Sequence, residues 1–152
     1  MATVTSVVGT RTSLTTTALN SLASATYVSA GTLTHNTNKP MDVLIDVSIT
    51  APGTVSGNKQ LVVFAQRSLD GTNFETGPTS GTTTTDEPDL TFVGVVPLNT
   101  VSVVHSKQFS LAAAYGGTIP YASKIIVKND CGTALPASTH SVYYSEVSYV
   151  VA

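Results

Sequence analysis

The sequence predicts an all-β fold: a single-domain β-sandwich of jelly-roll or Greek-key type, with an extended N-terminal arm. Three observations predict it. Val, Thr and Ser make up 62 of the 152 residues, and the β-branched Val and Thr favour strands over helices. Short apolar segments recur about every 8–15 residues, the rhythm of a sandwich or barrel. Gly, Pro, Asn and Asp clusters punctuate them. Hydrophobic content of 41% with a net charge of only −2 excludes a disordered chain. The absence of heptads or a Gly repeat excludes a rod. One core suits this length, so residues 1–20 read as an arm or first strand and residues 21–152 as the sandwich domain.

The elements follow in order. Residues 1–20 are Thr/Ser-rich, with apolar points at Val4, Val7, Val8 and Leu14. Residues 21–34 hold a weakly patterned strand around Tyr27, Val28 and Leu33, closed by the turn cluster HNTNKP. In residues 42–50, Val43, Ile45, Val47 and Ile49 alternate onto one face, the cleanest strand signal in the chain. Residues 60–69 form a second strong strand. Its unbroken apolar run, Leu61 to Ala65, predicts a central position. Asp70-Gly71 then predicts a tight hairpin turn.

A long polar loop, GPTSGTTTTDEPD, spans residues 77–89, and residues 90–97 form the next strand. Residues 101–104 and 107–112 add extended segments. LAAAY, residues 111–115, is the one candidate helical turn. A short strand over residues 123–129 carries Ile125 and Val127 on one face. The chain closes on a long strand over residues 140–151. Seven to nine strands result.

Composition also excludes functions. Charged residues are 11% of the chain, against roughly 25% in an ordinary soluble domain. The seven Lys and Arg residues are scattered singly. No basic stripe exists to displace counterions from a phosphate backbone or to bind an anionic membrane, so neither nucleic acid nor membrane is an expected partner. No apolar run reaches the length of a spanning helix. Neither a secretory signal nor an Asn-x-Ser/Thr sequon is visible, which reads as a chain made in a cytoplasm and left unglycosylated.

Chemistry-bearing constellations are sparse. His35, His105 and His140 stand apart, without metal-ligand spacing. No Gly-x-Ser-x-Gly marks a nucleophile among the 17 serines. Asp86, Glu87 and Asp89 form the one acidic cluster, read as a solvated loop rather than a Ca²⁺ site. Gly116-Gly117 reads as a turn, since no phosphate-binding helix start follows. Cys131 is the single cysteine, so it has no intramolecular disulfide partner and reads as a small buried residue near a turn. Tyr143 and Tyr144 point to opposite faces of one strand, which leaves one of them as a candidate interface ring. No catalytic residue, cofactor or metal is expected.

The segment NKQLVVFAQRSLDGTNFE, residues 58–75, resembles a pattern in virion proteins of tailed bacteriophages. There a hydrophobic strand runs into Ser-x-Asp-Gly, with an aromatic residue three positions beyond the Gly. Ser68, Asp70, Gly71 and Phe74 occupy these places here. DLTFVGVVPLNT, AYGGTIP and KIIVKNDCGTAL are similar to stretches of the same β-rich proteins. The likeness spans most of the chain after about residue 20.

Within that group, size and single-domain layout most resemble a head decoration, or cement, protein. The resemblance implies a jelly-roll or related sandwich on the capsid exterior. It implies a homotrimer, assembled in the host cytoplasm, that binds the major capsid protein and stabilises the lattice. It carries over no catalytic or contact residue. A tail-associated virion protein and a carbohydrate- or host-binding module are the alternatives, with an enzyme behind them.

The physical reading favours the same task. Few charges keep the desolvation penalty of a large contact low. Short hydroxyl side chains hydrogen-bond with little loss of rotamer entropy. An oligomer multiplies a weak contact. Val4, Val7 and Val8 are the expected capsid or subunit contacts, and deletion of residues 2–20 is expected to weaken attachment while leaving the fold intact.

Overall fold

The computed structural model describes residues 3–151. Its strands are β1 (Val4–Val8), β2 (Thr12–Thr15), β3 (Tyr27–Thr34), β4 (Asp42–Thr50), β5 (Gln60–Ser68), β6 (Ser80–Gly81), β7 (Thr91–Pro97), β8 (Val104–Ser110), β9 (Ala122–Asp130) and β10 (Ser141–Val151). They form two sheets. The first runs β1–β10–β4–β8, with β2 also on β10; the second runs β6–β3–β9–β5–β7. Every pairing is antiparallel.

The order has a simple logic. Count β1 and β2 as one interrupted strand and set the two-residue β6 aside. The chain then alternates between sheets from β1/β2 to β5, makes one in-sheet connection from β5 to β7, and alternates again to β10. That is the connectivity of a jelly roll. The all-β sandwich expected from composition and spacing is the fold.

The main core lies between the sheets. Val43, Ile45, Val47 and Ile49 of β4 are fully buried on its inner face. They meet Leu61, Val63 and Ala65 of β5 and Ile125 and Val127 of β9 in one cluster. The central strand expected from Leu61 to Ala65 is β5, held between β9 and β7. Its run is unbroken because both faces are buried. Val62 and Phe64 point away from the main core and join Tyr27, Leu90 and Ile126 in a second cluster. Residues 101–112 differ from the expected pair of segments. They supply one strand, β8, followed by the expected helical turn α1 (Leu111–Ala114); a second, 3-10 turn over Glu87–Asp89 lies in the loop where no helical turn was expected, so LAAAY is not the one helical turn. Ser110 caps α1, its hydroxyl accepting from the Ala113 amide at 3.0 Å.

The N-terminal segment is bound into the fold. β1 and β2 both pair with β10, and Leu14 bulges from the β2 register to pack on the core. A Cβ on Gly31 would lie 2.6 Å from Leu14 Cδ1, and Gly31 sits at φ +146° in the β3 bulge. Leu19 is 1% exposed. Deleting residues 2–20 therefore removes core side chains along with β1. This corrects the expectation that such a deletion leaves the fold intact; a cut confined to residues 2–8 spares both leucines.

Leu19→Ala is expected to cost about 2–5 kcal/mol of stability. Val8→Ala, on exposed β1, is expected to cost less than about 1 kcal/mol. Urea unfolding monitored by tyrosine fluorescence measures both. Equal losses at the two sites would contradict this division of the N-terminal segment.

Candidate functional site

The most distinctive surface is built by the two ends of the chain. β4 accompanies β10 only as far as Val147, which lies opposite Asp42. Beyond it, among the described residues, residues 148–151 have β1 as their sole strand neighbour, with Val4 opposite Val151, Thr5 opposite Val150 and Ser6 opposite Tyr149. A two-stranded ribbon thus runs past the end of the sandwich. Val4, Val8, Tyr149 and Val151 line one side, and Val7 and Val150 the other, by the alternation of paired residues. All six are between 46% and 67% exposed. Residues 3–10 and 147–151 include no charged side chain.

Val4, Val7 and Val8, picked out from sequence, therefore lie together on one element. Tyr149, Val150 and Val151 complete the surface and were not singled out beforehand. The signal was present in the charge-free SYVV run, but its meeting with residues 4–8 is set by a long-range register. An isolated two-stranded ribbon is marginal in water. A contiguous exposed apolar surface on one is a mark of protein contact.

The second feature is the Asp70-Gly71 reversal. The expected two-residue hairpin is replaced by a wider loop, because Ser68 bridges Phe74 across residues 69–73. The Ser68 hydroxyl accepts from the Gly71 amide at 2.9 Å. Asp70 Oδ1 accepts from the amides of Thr72 and Asn73, each at 2.8 Å, and Asp70 Oδ2 accepts from Asn73 Nδ2 at 2.7 Å. Gly71 has φ +79°, and a Cβ there would meet the Tyr121 ring at 2.8 Å. The Ser-x-Asp-Gly pattern is thus explained locally as a side-chain-knitted turn. Leu69 at its tip is 88% exposed. A groove of about 530 Å³ lies alongside, lined by Arg67, Leu69, Phe74 and Glu75 among others.

The amides and side chain of Asn73, with Thr72 and Ser68, hold the Asp70 carboxyl well below the usual carboxylate range. A depressed native value stabilises the fold at pH above the unfolded value of about 3.9. That contribution fades as pH falls through the depressed one. Asp70→Ala is accordingly expected to lower the thermal midpoint at pH 7, with the gap from the parent narrowing as pH drops below about 4. A gap that is constant with pH would show that the carboxylate charge is not what holds the turn.

Two carboxylates of the acidic cluster, Glu87 and Asp89, have structural partners. Glu87 reaches across the second cluster to the Tyr27 hydroxyl and to Lys128 Nζ. Asp89 accepts from the Thr76 hydroxyl at 2.7 Å. Glu87 and Asp89 therefore clamp the long polar loop over the outer face of the second sheet. Among the described residues, no group of three or more His, Cys, Asp or Glu is placed to hold a metal.

One cation–ring contact and one core contact account for the tyrosine pair. Arg11 lies 3.5 Å from the Tyr143 ring centre and pairs with Asp46 at 2.7 Å. Tyr144 packs against the main core. Neither ring stands free as a platform. Cys131 is buried, with its thiol 3.3 Å from the Thr133 carbonyl oxygen.

The three histidines remain apart. His105 contacts the Thr100 carbonyl, and His140 lies between the Thr50 amide and the Pro136 carbonyl. His35 is within 3.2 Å of the Ser123 hydroxyl, a serine–histidine contact that sequence spacing did not reveal. Burial lowers the His35 pKa, against a smaller opposing pull from Glu146. Ser123 is fully buried, so the folded chain offers a substrate no route to its hydroxyl. The contact serves to satisfy two buried polar groups.

Glu87→Ala leaves the Tyr27 hydroxyl and the Lys128 ammonium without their partner. It is expected to cost about 1–3 kcal/mol and to speed proteolytic nicking within residues 77–89. Unchanged nicking would mean that the loop is held by its apolar contacts alone.

No protein-family model, curated protein or solved structure matches the chain.

Proposed function

We propose that the chain is a non-enzymatic structural protein of a tailed-phage virion, a decoration protein that binds the outside of the capsid lattice and stabilises it as a homo-oligomer. One observation carries the reading: the charge-free apolar ribbon of residues 4–8 and 147–151, standing beyond the sandwich with both faces in water. Such a surface suits contact with protein better than contact with a polar small molecule. The resemblance of residues 58–75 to phage virion proteins supplies the kind of partner, the major capsid protein, and the trimeric state. Scarce charge supports the same reading, since a lattice contact then desolvates few ions.

The test uses shells assembled from the major capsid protein encoded in the same genome. The full chain is expected to co-sediment with them to saturation and to raise the temperature at which they break. A chain lacking residues 2–8 is expected to bind about tenfold or more weakly, since fully burying one Val is worth about 1.5 kcal/mol or more. Absence of co-sedimentation at every ratio would sink the capsid assignment. Immunogold label on virion tails rather than heads would transfer the protein to the tail.

A further inference from the structure

The open edge of β1 points to a more specific contact. We infer that β1 pairs antiparallel with β1 of a second copy of this chain, centred on Ser6, and joins the first sheets of two molecules into one. The inference concerns self-association and does not rest on capsid attachment.

The hydrogen-bond phase of β1 comes first. The Gly9 amide donates to the Glu146 carbonyl at 2.8 Å, and the register carrying Val8 opposite Val147 puts these two residues opposite each other. Antiparallel pairs alternate between bonded and non-bonded. Val7 and Thr5 therefore turn their main-chain groups toward β10. Val4, Ser6 and Val8 turn theirs toward the open edge, where β1 has no strand neighbour among the described residues.

The sequence of β1 is close to a palindrome. Set against itself about Ser6, VTSVV places Val4 opposite Val8, Thr5 opposite Val7 and Ser6 opposite its own copy. The three residues with free main-chain groups then face the same three in reverse, for about six inter-chain hydrogen bonds. β-branched pairs oppose each other on one face, a stabilising cross-strand arrangement. Each contact is made twice about a twofold axis, which closes the pair rather than propagating it. No charged side chain lies in residues 3–10, so two copies meet without like-charge repulsion.

Apart from the far margin of the same ribbon, residues 148–151 of β10, the other sheet margins are guarded in ways that β1 is not. β8 carries Lys107. β7 ends at Pro97 and has a register shift along its pairing with β5. β3 is bulged at Gly31 and covered in part by β6. Charges, proline and bulges are how edges avoid other strands. β1 has none of these devices, which is what a strand meant to be paired should look like.

The experiment measures molar mass by light scattering on the full chain, with amide hydrogen exchange on the same sample. The expected mass is an even multiple of the chain, a dimer or, where trimers are joined, a hexamer. The Val4, Ser6 and Val8 amides are expected to be protected. Ser6→Pro removes a donor aimed at the open edge and no bond to β10. It should halve the mass and return the Val4 and Val8 amides to fast exchange, with the circular dichroism spectrum kept. Ser6→Lys sets two ammonium groups against each other at the centre and should do the same. A monomer at all soluble concentrations, or any assembly in which these amides exchange freely, overturns the inference. So does an assembly whose mass survives both substitutions. Capsid co-sedimentation of the Ser6 variants reads the lattice contact separately.

Discussion

The second sheet is apolar on both faces, and much of the molecule is arranged around that constraint. Ile125, Ile126 and Val127 succeed one another in β9, and Leu61 to Ala65 do so in β5. Alternation sends half of each run into the space between the sheets and half outward. The first sheet covers the inner half. The outer half needs a cover of its own, and the segment between β5 and β7 supplies it. Leu90 enters the outer cluster, and Glu87 ties that segment to Tyr27 and Lys128. A stretch as polar as GTTTTDEPD gains its place through these few anchors. Its threonines stay in water.

The parts of this arrangement that depend on local pattern were legible in the sequence. The alternation of Val43 to Ile49 gives the bounds of β4 without error. The unbroken run of β5 indicated a strand buried on both sides. Residues 101–110 were harder, because β8 is an edge strand whose Ser106, Lys107 and Gln108 carry little apolar rhythm. The reversal at Asp70 and Gly71 was visible as a turn, but its width was not. The width follows from the Ser68 and Asp70 side chains capping amides, which dipeptide preference does not report. The ribbon was half legible. Val4, Val7 and Val8 announce themselves as apolar points in a polar arm, yet nothing local says that β10 outruns β4 and leaves them both sides exposed. Such facts reside in pairings between residues more than 130 positions apart.

The same pairings explain why the chain ends matter more than the clefts. Within the sandwich, polar groups tend to find partners nearby: His35 with Ser123, Asn129 with Leu22 and Thr133, Arg67 with Glu75. Those groups are committed to holding the fold. The ribbon is the opposite case. Its outer main-chain edge has no strand neighbour among the described residues and its valines stay exposed, although β-branched residues there are well suited to a sheet.

Hydroxyl-rich composition and an open apolar edge are therefore two aspects of one design. A surface of Ser and Thr with few ions neither attracts nor repels at long range, because steering requires fields that scattered single charges do not create. Contact must then be won at short range, by main-chain hydrogen bonds and close packing of small side chains. A strand edge delivers both at once, and it does so with a fixed register because the side-chain period is two. Single contacts of that kind are modest. Repeated across an assembly of many identical copies, they sum to a tight and orderly attachment. The lattice-binding role proposed above would draw on that combination, many modest strand-edge contacts repeated in a fixed register.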